Sequence, residues 1–248
     1  MTYCAGILVE EGLVMMADTR TNAGLDNIST YRKLHVVSRP NERVLALATA
    51  GNLSFSQSVI SLVTEGMENP ETREIETIAK VPSMFRAAQL VGHAVRRVRQ
   101  TVGPALEEVQ LSFDVSILLG GQIAGGPMRL YMIYTAGNFI ECGQEAPFLQ
   151  IGEHKYGKPI LDRAVRFSTD LYDALKIGLI SMDSTMRSNL GVGPPIDIAV
   201  VRRDALAPEL LHRIEAGEPY FQDLRERWSA ALRAAHIAIP RPPYGSRT

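Results

Sequence analysis

Thr2 stands directly behind Met1 in the opening MTYCAGILVEEGLVMMADTR, and the second apolar run of that stretch ends on Asp18-Thr19-Arg20. A small second residue permits removal of Met1, which would leave Thr2 with a hydroxyl and a free α-amine on one residue. The hydroxyl alone is a weak nucleophile and needs an adjacent base. The amine supplies one, with an ordinary pKa of about 7.7–8.0, and a nearby cation lowers it by disfavouring the charged form. Lys33 is the candidate cation, Asp18 the candidate to hold it, and Arg20 the candidate brace for Asp18. The chemistry would be attack on an amide by an N-terminal threonine. Against this stands the plain alternative: threonine is common in second place, and Asp-x-Arg behind a strand is ordinarily a turn with a salt bridge. These residues alone leave both readings open.

The remaining motifs offer no competing chemistry. GGQIAGGP lacks the Lys-Ser/Thr of a P-loop and the spacing of a dinucleotide fingerprint, and it leads into a strand; it reads as a hairpin turn. GVGPP at 191–195 is a turn before a strand. Histidines at 35, 93, 154, 212 and 236 show no paired ligand spacing, and with only Cys4 and Cys142 a zinc site is not expected. No serine sits in a G-x-S-x-G elbow. The chemistry proposed for Thr2 requires neither cofactor nor metal.

Composition bounds the setting. The 248 residues are 46% hydrophobic and 21% charged with a net charge of -1, an ordinary globular balance without the basic excess of a nucleic-acid binder. Arg96–Gln100, RRVRQ, reads as a solvated helix face. Two cysteines imply no disulfide framework, no signal-peptide pattern opens the chain, and no apolar run reaches the roughly 18 residues of a membrane span. A cytoplasmic protein, binding neither nucleic acid nor membrane, is expected.

The elements that must position Thr2, Asp18 and Lys33 follow from periodicity. Tyr3–Val9 and Leu13–Ala17 read as strands around the turn Glu10-Glu11-Gly12, which puts Thr2 and Asp18 at one end of a sheet. A polar loop follows, then strands at Lys33–Val37 and Val44–Ala50. Helical spacing begins at Phe55, Val59, Leu62 and Val63 and returns at Met84, Ala87, Val91, Val95, Val98 and Val102, with Gly103-Pro104 as the stop. Strands are predicted at 113–119, 128–134, 138–142 and 148–151, a helix at about 170–187, and strands at 195–202 and 210–214. A C-terminal helix carries Phe221, Leu224, Trp228 and Leu232, and the PRPPYGSRT tail is loose. Two hairpin-spaced strand blocks with segregated helices predict one α/β (α+β) domain, a four-layer αββα sandwich of two antiparallel sheets. The apolar stripe of the second helix, with Trp228, exceeds what one outer layer leaves to water, and predicts self-association through helical faces.

As a set, these residues resemble a known family. A strand-starting Thr, an AD-x-R triplet after the second strand, a Lys opening the third and ATAGNL after the fourth are similar to the proteasome β-subunit family of N-terminal nucleophile hydrolases. ADTRTNAGLDNISTYRK and SMDSTMRSNLGVGPPIDIAVV look closer to Anbu, its bacterial branch; the likeness covers about residues 2–215. The resemblance implies Thr2 as nucleophile and base, Asp18 and Lys33 as the pair that tunes its amine, and Gly51 as the oxyanion N–H donor. It implies Thr21 and Asn22 as the edge that pairs a substrate backbone, and Tyr31, His35 and Thr49 as the specificity-pocket wall. It also implies peptide or protein substrates and homo-oligomeric rings, and the Anbu-like features favour an open, helical form.

Three departures from the family pattern stand out. The Thr2–Lys33 interval is one residue shorter than in most members, as in the Anbu branch. A glycine-serine turn becomes Gly152-Glu153, losing a hydroxyl. Asp183 and Ser188, normally three apart, are five apart, so that Thr185 stands in for the Asp and Ser188 remains as the partner of the nucleophile. Three readings result: a threonine peptidase, a degenerate structural ring subunit, and a small-amide acylase.

Overall fold

The computed structural model describes residues 1–22, 28–69, 72–108 and 113–244. Strands β1 (Tyr3–Leu8) and β2 (Gly12–Asp18) form the opening hairpin, and every residue of both is buried. Short strands β3 (Arg20–Asn22) and β4 (Ile28–Thr30) pair with each other inside what the sequence presents as a polar loop. There follow β5 (Leu34–Arg39), β6 (Arg43–Gly51) and helix α1 (Leu53–Glu65), whose N-cap Asn52 accepts from the N–H of Ser54 and Phe55. The small hairpin β7 (Met67–Glu68) and β8 (Ile75–Glu76) leads to α2 (Met84–Glu108).

The second half supplies β9 (Val115–Ile123), β10 (Arg129–Ile133), β11 (Phe139–Glu141) and β12 (Phe148–Gly152), then α3 (His154–Ala164) and α4 (Leu171–Ser188). Strands β13 (Ile196–Arg202) and β14 (Leu210–Ile214) precede the final helix α5 (Pro219–Ala238). Two five-stranded antiparallel sheets result, ordered β12-β1-β2-β13-β14 and β11-β10-β9-β6-β5.

Strand alternation makes the layers. Cys4, Leu13, Met15 and Ala17 of the first sheet meet Ala46, Ala48, Ala50 and Leu118 of the second between the sheets. The opposite face of the first sheet, through Tyr3, Ile7 and Met16, packs under α3 and α4 with Leu161, Leu175 and Met182. Leu45, Leu47, Ile117 and Leu119 cover the outer side of the second sheet beneath α1 and α2. This is the expected αββα sandwich. Among the described residues no helix is long and apolar enough to cross a membrane.

Several expectations are corrected. The helix α2 passes Gly103-Pro104 and ends at Glu108. A proline strains the residue before it through that residue's Cβ, and Gly103 has none. The segment GGQI is strand rather than turn, because Gly120 and Gly121 sit where a Cβ would run into Leu13 and the Val44 carbonyl; the turn is Ala124–Gly126. The sequence showed no helix at α3. Finally, Met84, Ala87, Val91, Val95 and Val98 are all buried in the chain's own core. Val102, the last residue of the predicted stripe, is half-buried against the same core, so the α2 stripe is largely spent internally.

Candidate active site

The β1–β2 register pairs Cys4 with Ala17, which sets Asp18 across from Tyr3, the neighbour of Thr2, so that Thr2 and Asp18 lie at one sheet end, as the hairpin predicts. Asp18 is fully buried. Its Oδ1 accepts from the Tyr3 N–H and from Lys33 Nζ, each at 3.0 Å, and its Oδ2 accepts from the Gly193 N–H at 3.4 Å. Burial raises the Asp18 carboxyl above its ordinary range, opposed by the Lys33 charge and these N–H donors.

Lys33 is 4% exposed and opens β5 from the preceding residue. Besides Asp18, its ammonium donates to the Arg20 carbonyl at 2.6 Å and to the Met1 carbonyl at 3.4 Å. Three N–H groups thus meet three acceptors, which is what a buried ammonium needs. The third acceptor matters most for the chemistry. The Met1 carbonyl carbon is bonded to the Thr2 nitrogen, so the cation stands beside the peptide bond whose cleavage would free the Thr2 amine.

Thr2 is itself nearly buried, and its carbonyl accepts from the Glu153 N–H at 2.8 Å. Gly152, at φ +78°, lies against that carbonyl so closely that a Cβ would collide with it. Gly51 ends β6 at φ +105°, where the Asp114 carbonyl leaves no room for a Cβ. Gly51 and Gly152 both line a cleft of about 530 Å³, together with Ser116, Tyr134, Gln150 and His154. Thr2 is not itself among the lining residues; the cleft comes near it through Gly152.

The other expected residues are placed as follows. Thr21 is half-buried in β3 opposite Ser29. Asn22 pairs through its backbone with Ile28, and its side chain lies outside the described residues. Tyr31 is exposed and its N–H donates to the Thr19 carbonyl at 2.9 Å. Thr49 is buried; its N–H donates to the Lys33 carbonyl at 3.0 Å, and its carbonyl accepts from Cys4 Sγ at 3.6 Å. His35 is half-buried on β5, and burial, then the neighbouring Arg32 charge, push its pKa down.

Two supporting roles are corrected. Arg20 does not brace Asp18 with its side chain, which instead donates to the Leu190 carbonyl at 2.9 Å and lies against Gly193. The Gly193 N–H takes the bracing place. Thr185 does not replace the family Asp, because its hydroxyl is turned back onto the Ser181 carbonyl of its own helix at 2.9 Å. Asp183 is buried and committed to Arg225 of α5 at 2.5 Å and to Arg187 at 3.2 Å. Ser188 closes α4 and is exposed, and its hydroxyl makes no hydrogen bond among the described residues.

Sequence reasoning missed three parts of this site: the Tyr3 N–H, the Gly193 N–H and the close approach of Gly152. The GVGPP turn was the available signal for the second, since a glycine-rich turn exposes backbone N–H groups. Among the described residues no group of three or more His, Cys, Asp or Glu is arranged to hold a metal.

Known proteins share this fold. No protein-family model matches the chain. The solved structure of an Anbu (Gly-1) mutant from Hyphomicrobium sp. strain MC1 superposes with a TM-score of 0.90 at 46% identity, over 98% of this chain and 100% of that one. The helical assembly of the Anbu complex from Pseudomonas aeruginosa gives 0.88 at 45% identity, over 97% and 98%. Among curated proteins, the proteasome subunit beta of Haloferax volcanii is 26% identical over 209 residues, 83% of this chain and 75% of that protein.

Proposed function

Because the chain belongs to the Anbu branch of the proteasome β-subunit family, we propose that it is a threonine-dependent peptidase or amidohydrolase acting through Thr2. Met1 is first removed. Thr2 Oγ1 then attacks the substrate amide carbon while the Thr2 amine takes the hydroxyl proton. The oxyanion accepts from the Gly51 N–H, a fixed donor of the kind that contributes most to acyl transfer. The amine returns the proton to the leaving nitrogen, the C–N bond breaks, and an ester to Thr2 remains. Water, deprotonated by the same amine, hydrolyses that ester.

One observation carries this reading: the buried Lys33 ammonium is bonded to buried Asp18 and also to the carbonyl of Met1, next to the start of β1. A buried cation there would hold a newly freed amine neutral near pH 7. Ser188 is assigned the supporting contact to that amine, Thr21 and Asn22 the pairing of the substrate backbone, and Tyr31, His35 and Thr49 the pocket wall. Substrates are peptides or proteins in the cytoplasm, and the chain assembles with itself in an open helical ring, by likeness to the helical Pseudomonas assembly.

A second reading, a ring subunit without turnover, is favoured by one observation, the commitment of Asp183 to Arg225 and Arg187 away from Thr2. An electrophile that captures the hydroxyl and amine of an N-terminal threonine separates the two. Protein shown by intact mass to begin at Thr2 is expected to gain one adduct, localised to that residue and absent in Thr2→Ala. Processed protein that takes up no adduct and cleaves nothing in a peptide library is a structural subunit. Cleavage of small amides alone would make it an acylase.

A further inference from the structure

Removal of Met1 would leave the proposed nucleophile as the first residue of the chain, and chain ends are where order is most easily lost. The Met1 carbonyl accepts from Lys33 Nζ at 3.4 Å, and the Met1 side chain lies against Gly191. Both contacts leave with Met1. Whatever then fixes Thr2 must act from its other side, through its own carbonyl and through Tyr3. The Thr2–Tyr3 peptide is held at both polar atoms: the carbonyl accepts from the Glu153 N–H at 2.8 Å, and the Tyr3 N–H donates to Asp18 Oδ1 at 3.0 Å.

The Tyr3 side chain is tied down as well. Tyr3 is fully buried, and its hydroxyl lies 3.0 Å from Ser181 Oγ of α4 and accepts from Gln150 Nε2 of β12. The direction of these bonds follows from Ser181, whose hydroxyl has one proton and donates it to the Gly178 carbonyl at 2.7 Å. Ser181 therefore accepts from Tyr3, and the Tyr3 oxygen keeps a lone pair for the Gln150 amide. Burial pushes the Tyr3 phenol up to about 12, so it holds that proton at neutral pH. Gly157 of α3 stands where a Cβ would strike the hydroxyl. A phenylalanine would fill the same apolar space beside Ala5, Leu161 and Met182 without needing partners. Packing does not call for the hydroxyl, and a buried hydroxyl is costly unless bonded. Its use is to fix where the first residue of β1 sits.

We propose that Tyr3 is a positioning residue for the nucleophile: its hydroxyl, held between Gln150 and Ser181, anchors the start of β1 and so sets Thr2 Oγ1 and the freed amine in place. It acts through the Thr2–Tyr3 peptide and touches no substrate. Misplacing a reacting group by about 1 Å can cost on the order of 10²-fold in rate, so a terminal nucleophile needs such an anchor more than one inside a chain does. The inference rests on the reading of Thr2 as nucleophile.

The test uses full-length protein shown by intact mass to begin at Thr2, and a peptidyl epoxyketone whose ketone carbon takes the Thr2 hydroxyl and whose epoxide is opened by the Thr2 amine. Tyr3→Phe keeps the ring and removes only the hydroxyl. It should lower the saturating rate of adduct formation by about tenfold or more and leave the half-saturating probe concentration unchanged. The acid limb of that rate should begin at higher pH, because the Tyr3 N–H favours ionised Asp18 and a loosened β1 weakens that bond. Ser181→Ala removes the acceptor alone and should move the rate and the limb in the same directions. The double variant should fall no further than Tyr3→Phe, since both changes act through one hydroxyl. A folded Tyr3→Phe protein with the wild-type rate and limb overturns the proposal, whatever its melting temperature. If Tyr3→Phe does not fold, a wild-type rate and limb in Ser181→Ala overturns it. Processed wild-type protein that takes up no adduct overturns the Thr2 reading and this inference with it.

Discussion

Lys33 Nζ sits 3.0 Å from Asp18 Oδ1, with the two side chains 5% and 0% exposed. An ion pair so buried is weak evidence for stability, since desolvation offsets the attraction, and breaking it from one side leaves a bare charge. Asp18→Asn alone should therefore cost about 3–5 kcal/mol in urea unfolding. The isosteric double change Asp18→Asn, Lys33→Met should be close to neutral while abolishing turnover. A double variant as unstable as the single one would mean that the pair is kept for folding.

Lys33→Ala should lower turnover by a factor of about 10² to 10³, the usual loss for one positioned electrostatic group, and Lys33→Arg should not rescue it. A guanidinium cannot reproduce the three contacts to Asp18, Arg20 and Met1 made by a compact ammonium. Near-normal rates in either variant would remove Lys33 as the tuning group.

The raised Asp18 carboxyl fixes the pH behaviour. The native state takes this proton more readily than the unfolded chain, whose value is about 3.9. Between the two values each rise in pH therefore costs stability, and at neutral pH the ionised Asp18 is a burden that the proposed chemistry requires. Acid protonates Asp18 and releases Lys33, and it also charges the Thr2 amine. The acid limb of kcat/KM should then approach a slope of two, beginning above the ordinary carboxylate range. A limb of unit slope over the whole range in which the protein stays folded would exclude Asp18 from the reaction.

Gly152→Ala should cost more than ~1 kcal/mol, because φ is positive there, and should also shift the Thr2 carbonyl that the new Cβ would strike. Activity should fall further than the loss of stability explains. Wild-type kcat/KM in a folded Gly152→Ala protein would show that Thr2 need not be held by β12.

Ser188 and Arg225 should behave as opposites. Ser188 is exposed and unbonded among the described residues, so Ser188→Ala should leave the melting temperature unchanged and lower kcat/KM if its hydroxyl reaches the amine. Arg225→Ala strips a partner from buried Asp183 and should destabilise by about 1–3 kcal/mol with kcat/KM intact. An unaffected kcat/KM in Ser188→Ala would end its assignment to the site.

The hairpin that brings Thr2 and Asp18 together was legible because its signals are local: an apolar run, Glu10-Glu11-Gly12, and a second run. What escaped was tertiary. Helix α3 holds Gly157 and Pro159, which periodicity treats as breakers. Gly157 is required because the Tyr3 hydroxyl and the Ser181 carbonyl occupy the space a Cβ would take. The Gly193 N–H on Asp18 crosses 175 residues of sequence, and no local pattern encodes a partner at that distance. The α2 stripe was read correctly as apolar, and its exposure was overestimated because a stripe does not declare how wide a sheet it must cover.

That long crossing sets when the buried Asp18–Lys33 site can be completed. Strand β1 pairs with β2 across a short turn and with β12 across most of the chain, and the Asp18 cradle includes the N–H of Gly193. Non-local pairings of this kind form slowly. A chain interrupted anywhere before that turn holds the nucleophile, the aspartate and the lysine yet cannot finish enclosing their charges. A site assembled from the two distant halves of the chain is thus incomplete until nearly all of the sequence is in place.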